Sequence, residues 1–91
     1  MKQIRITITK DDLKNASNFY DVDHCLLATA VKRETGETDI SAGSTLIYIN
    51  RKRYTTKDLP NNIVCEQYQN NGADLPLTAV FTHTPYADEQ D

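Results

Sequence analysis

The sequence predicts an α+β fold: a small, mostly antiparallel sheet of three to five strands with two helices on one face, in the order β-α-β-β-α-β. Three observations carry this reading. Ile4, Ile6 and Ile8 alternate with Arg5 and Thr7, the period of a half-buried strand. Leu26, Leu27, Ala30 and Val31 recur at helical spacing ahead of Gly36, which supplies a left-handed stop. The run TLIYI at residues 45–49 is rich in β-branched and aromatic side chains, and a few turn residues separate it from a second extended stretch.

Taken in order, residues 2–9 form the first strand, and the Thr9 hydroxyl is placed to cap a short helical turn whose first residues include Asp11 and Asp12. That acidic pair reads as consecutive on a surface turn, complementing the helix dipole. Asp23 is the expected N-cap of the main helix, about residues 24–35, with Lys32 and Arg33 in its last turn. Residues 39–42 suit a short strand. Asn50, Arg51 and Lys52 then turn the chain from the strand at 45–49 into another at 53–56, a hairpin without an Asn-Gly or Asp-Gly turn. Asp58-Leu59-Pro60 resembles a helix start, and Ile63, Val64, Gln67 and Tyr68 continue it until Asn70-Asn71-Gly72. A last strand at 77–83 lies between Pro76 and Pro85. The expected core is Ile4, Ile6, Ile8, Leu27, Ala28, Val31, Leu46, Ile47, Ile49, Val64, Tyr68, Val80 and Phe81. With one sheet face left free, Tyr48 and Tyr54 on that face would favour a homodimer.

With 91 residues, the chain suits one domain, residues 1–85, followed by a short acidic tail, residues 86–91. Hydrophobic residues at 38% and charged residues at 25% are those of an ordinary globular protein. No apolar run approaches the roughly 20 residues of a membrane span, and Met-Lys-Gln-Ile-Arg is no signal core, so the expected setting is cytoplasmic, with no membrane partner. Cys25 and Cys65 are expected as free thiols.

The net charge of −3 conceals an asymmetry. Up to Lys57 the chain has ten Lys and Arg against seven Asp and Glu, a balance of +3; from Asp58 onward it has six acids and no base, a balance of −6. The acids Asp58, Glu66, Asp74, Asp88, Glu89 and Asp91 form either a solvated face or a patch that seats in a basic groove on a partner. The run Arg51, Lys52, Arg53 with Lys57 behind it, flanked by Tyr48 and Tyr54, is the one stretch with the charge-plus-aromatic character of a single-strand binder.

Chemistry finds little support. His24, Cys25, Cys65 and His83 lack the paired short spacing of a zinc site, so no metal is expected. A cysteine nucleophile has no base fixed beside it by any local signature. The three glycines are isolated, which excludes a P-loop or a dinucleotide-binding loop, and no cofactor is expected. The expected class is non-enzymatic.

The helix Cys25-Leu26-Leu27-Ala28-Thr29-Ala30-Val31-Lys32-Arg33, the stretch Ile47-Tyr48-Ile49-Asn50-Arg51-Lys52-Arg53-Tyr54, the pair Leu59-Pro60 and the late Ala79-Val80-Phe81 together resemble small proteins of tailed phages and prophages. In those, a Cys-Pro-Val/Ile-Ala-like helix is followed by a hairpin and a leucine-proline helix start; here Leu26 holds the proline position. The resemblance implies an accessory protein in a bacterial host, a class that includes inhibitors of host defence such as anti-CRISPR proteins. The first expectation is therefore a protein that binds and blocks a host protein or nucleoprotein complex through its acidic residues. The alternative is a small nucleic-acid-binding regulator using the basic hairpin, residues 51–57.

Overall fold

The computed structural model describes residues 2–16, 24–43 and 45–85. Its elements run β1 (Gln3–Ile8), α1 (Lys10–Asn15), α2 (Leu26–Thr35), β2 (Ile40–Ala42), β3 (Leu46–Ile49), β4 (Lys52–Thr55), α3 (Ile63–Gln69) and β5 (Leu77–His83). The strands make one five-stranded sheet in the order β1-β5-β4-β3-β2, with every neighbouring pair antiparallel. This is the α+β fold that the alternation and helical spacing predict. The short helical turn after Thr9 is a helix of its own, α1, and the tail at 86–91 lies outside the described residues.

Register decides which side chains meet. Ile6 stands opposite Ala79, Ile4 opposite Phe81, Tyr54 opposite both His83 and Ile47, and Ile49 opposite Ile40. All of these point to one face, where all but Ile4 and His83 join Leu26, Leu27, Ala28, Ala30 and Val31 of α2 and Ile63 of α3 in a single buried cluster, with Ile4 packed against it. Phe81 is its largest fully buried side chain, contributing about 2–3 kcal/mol by removal from water. Leu46 and Val80, expected in this core, stand on the other face and are only half-buried, because their positions are out of phase with Ile47, Ala79 and Phe81. Tyr54, expected beside Tyr48 on the free face, is in the core at 3% exposure. Of the two tyrosines, Tyr48 alone therefore stands on the open face.

The hairpin explains Tyr54. Ile49 pairs with Lys52, so the turn has only Asn50 and Arg51, with φ of 52° and 69°. Two positive φ values in a two-residue loop make a type I′ turn, whose twist matches that of the strands it joins.

Helix ends also depart from expectation. α2 begins at Leu26 with Cys25 in the N-cap position and no side-chain cap, while Asp23 lies outside the described residues. Its carboxyl end is Gly36, at φ 73°, as expected. α3 begins at Ile63 after Asn62, later than Asp58-Leu59-Pro60 suggested, because the Asp58 carboxylate is engaged elsewhere. The chain leaves α3 through Asn71 and Gly72, at φ 57° and 74°, and a Cβ at Gly72 would come within 3.0 Å of Leu13 Cδ2.

Asp12 corrects the expectation of an exposed acidic pair: it is 1% exposed. Thr9 and Asp12 form a capping box, the Thr9 hydroxyl accepting from Asp12 N–H at 3.2 Å and Asp12 Oδ2 accepting from Thr9 N–H at 2.9 Å. Arg33 of α2 grips the same carboxylate through Nε (2.8 Å) and Nη2 (3.0 Å), and Nη2 also donates to the Thr7 carbonyl at 2.6 Å. One guanidinium thus ties β1, α1 and α2 together.

Candidate functional site

The face of the sheet opposite the helices is the best candidate. Alternation places Gln3, Arg5 and Thr7 of β1 on it, and register adds Thr78, Val80 and Thr82 from β5. Arg53 and Thr55 of β4 follow, then Leu46 and Tyr48 of β3 and Ser41 of β2. None of these side chains is fully buried. Two cross-strand rows stand out: Gln3, Thr82, Thr55 and Leu46 form one, and Arg53, Tyr48 and Ser41 form the next. Hydroxyls and amide bond across the strands, with Thr7 Oγ1 3.0 Å from Thr78 Oγ1 and Gln3 Nε2 donating to Thr82 Oγ1 at 3.3 Å.

The strand residues of this face carry charge of one sign, while Asp58 from the loop after β4 brings a carboxylate to its end. No Asp or Glu occurs in any of the five strands, and the charged strand residues facing this side are Arg5 and Arg53. Although the whole chain is acidic, its described carboxylates sit in helices, turns and loops. Arg53 is held by donation from Nε to the Thr84 carbonyl at 2.6 Å, which fixes a cation beside the half-buried Tyr48 ring.

The predicted basic hairpin is divided by the register. Arg53 faces the open side, and Lys57 is exposed just past the end of β4, in the wall of a groove there. Lys52 has the parity of Tyr54 and faces the other way at the tip of the hairpin. Arg51 occupies the turn, its Nε 3.8 Å from the Asp39 carboxylate across highly exposed surface. Such an exposed pair has little energetic weight. Arg5 and Gln3 are additions that the basic run could not reveal, although the β1 alternation already set Arg5 opposite the isoleucines.

The acids are placed separately. Asp58 Oδ2 accepts from the Val80 N–H at 2.8 Å, taking the place of a ladder partner where β4 ends. Asp74 Oδ2 accepts from Gln67 Nε2 at 2.9 Å and from Asn70 Nδ2 at 3.3 Å, closing the carboxyl end of α3. Glu66 lies half-buried on α3, and Asp88, Glu89 and Asp91 lie outside the described residues. Two of the three described acids therefore have work inside the fold.

Cys25 is buried and Cys65 half-buried, both free thiols. Among the described residues no group of three His, Cys, Asp or Glu side chains gathers as a metal would need, and no helix is long and apolar enough to cross a membrane. Comparisons with protein-family models, curated proteins and solved structures give no match for this chain.

Proposed function

We propose that this chain is a non-enzymatic accessory protein that binds single-stranded nucleic acid across the face of its sheet opposite the helices. The observation that carries the reading is a five-stranded sheet whose strands hold no Asp or Glu, with Arg5 and Arg53 as the strand charges of its open face and Tyr48 opposite Arg53. The two arginines meet phosphates, an aromatic ring stacks a base, and threonine hydroxyls serve the sugar and phosphate edges.

Fluorescence anisotropy of a labelled single-stranded oligonucleotide against the full chain tests it. A Kd on the order of 10 µM at low salt is expected, with a log–log salt slope of about −2 from two or three neutralised phosphates. Arg5→Glu, at an exposed position, should weaken binding about tenfold and flatten that slope by about one. A flat titration at low salt for both DNA and RNA overturns the reading.

The uniform negative sign of the charges from Asp58 onward favours a second reading, occlusion of a basic groove on a host protein or nucleoprotein complex by a phage-type inhibitor. Glu66→Lys is its informative variant, because Asp58 and Asp74 also hold the fold. Loss of partner capture with an unchanged melting temperature supports this reading, and undiminished capture sinks it.

A further inference from the structure

β4 and β5 pair only at Tyr54 with His83 and at Thr55 with Thr82. Beyond Thr55 the chain turns away from the ladder, and a groove of about 350 Å³ opens between its path and β5. That volume is at the small end of the roughly 300–1,000 Å³ found for small-molecule sites. The groove continues the open face, since Gln3, Thr55 and Thr82 belong to both. Its described lining is mostly polar, with Gln3, Lys57, Asp58 and four threonines around Val80, and offers hydrogen-bonding groups to the edge of whatever enters.

The acceptors there are specific. Asp58 gives Oδ2 to the Val80 N–H and keeps Oδ1 for a ligand. Gln3 donates through Nε2 to Thr82, which leaves its carbonyl oxygen to accept. Lys57 stands exposed on the same rim as a partner for phosphate, and the Thr84 hydroxyl in the wall is shielded from solvent without a hydrogen-bond partner in the fold. A carboxylate oxygen and an amide oxygen together select for N–H donors and repel carbonyl oxygens.

We infer that this groove takes one unstacked nucleobase and favours bases with an exocyclic amino group over thymine or uracil. The inference rests on the single-strand reading above and names the chemistry that would give it sequence preference. Cytosine and thymine make the sharpest comparison: the amine on C4 of cytosine donates to Asp58, whereas the O4 carbonyl of thymine sets one acceptor against another there.

The test is anisotropy with labelled oligo-dC and oligo-dT of equal length against the full chain at neutral pH. Oligo-dC should bind about fivefold tighter. Asp58→Asn should bring the two affinities within about twofold, and its amide oxygen can still accept from Val80 N–H, so the melting temperature should hold. Gln3→Leu, at an exposed position away from that bond, should also narrow the ratio. Equal affinities of the unmodified chain for the two strands overturn the base preference while the face reading stands. Absence of binding to either strand overturns both.

Discussion

At the scale of single residues, Asp12 shows how a surface-type sequence becomes a buried joint. Burial alone raises its carboxyl pKa, but the Arg33 guanidinium and the Thr9 backbone and hydroxyl outweigh that and hold it below the ordinary 3.8. A depressed folded value means that the stabilisation is complete above the ordinary value and is lost as pH falls through the folded one. Asp12→Asn should cost about 2 kcal/mol at neutral pH, since Arg33 is partly exposed and the exchange loses charge more than contact. Urea melts between about pH 7 and pH 2 should show the unmodified chain losing that advantage on acidification, with the variant's profile flatter. A variant with the same pH profile as the unmodified chain would refute the role given to Arg33. The Thr9 cap was legible because all its parts lie within one turn of sequence. The burial of Asp12 was not, because its partner is 21 positions away and nothing local marks the two as neighbours.

Among the elements, the hairpin settles which chemistry each face displays. A three-residue turn at Asn50-Arg51-Lys52 would pair Tyr48 with Tyr54 and put both rings on one side; the two-residue turn pairs Tyr48 with Arg53 and sends Tyr54 into the core. A single residue of turn length thus decided the reading of the open face. The sequence marked the strands themselves through β-branched runs, but turn length was hidden because Arg51 stands where a type I′ turn usually has glycine. Its φ of 69° costs a residue with a Cβ about 1 kcal/mol, so Arg51→Gly should raise the melting temperature by roughly 4–8 °C. A fall in melting temperature would count against the turn geometry. α3 is the second example: Asp58 and Pro60 have helix-start chemistry, yet the carboxylate is drawn to an unpaired N–H of β5 that only the folded sheet presents.

For the whole molecule, the thinness of the core and the sorting of charge matter most. A domain of this size has only a few kcal/mol to spare, and Phe81→Ala, at a fully buried position opposite Ile4, should cost about 4 kcal/mol and leave little folded protein near 37 °C by circular dichroism. A cooperative melt close to that of the unmodified chain would show that Phe81 is not central to the core. The total charge was legible by counting, but the exclusion of Asp and Glu from all five strands could be seen only once the strand boundaries were known. The Arg33 bond to the Thr7 carbonyl also bears on self-association. Lys2 carbonyl accepts from His83 N–H, so by alternation the odd-numbered carbonyls of β1 point outward, away from β5. By occupying one of them, the guanidinium spoils that margin as a template for an incoming strand, and sheet growth through stacked copies is left with the far margin, the three-residue β2, too short to seed a fibril.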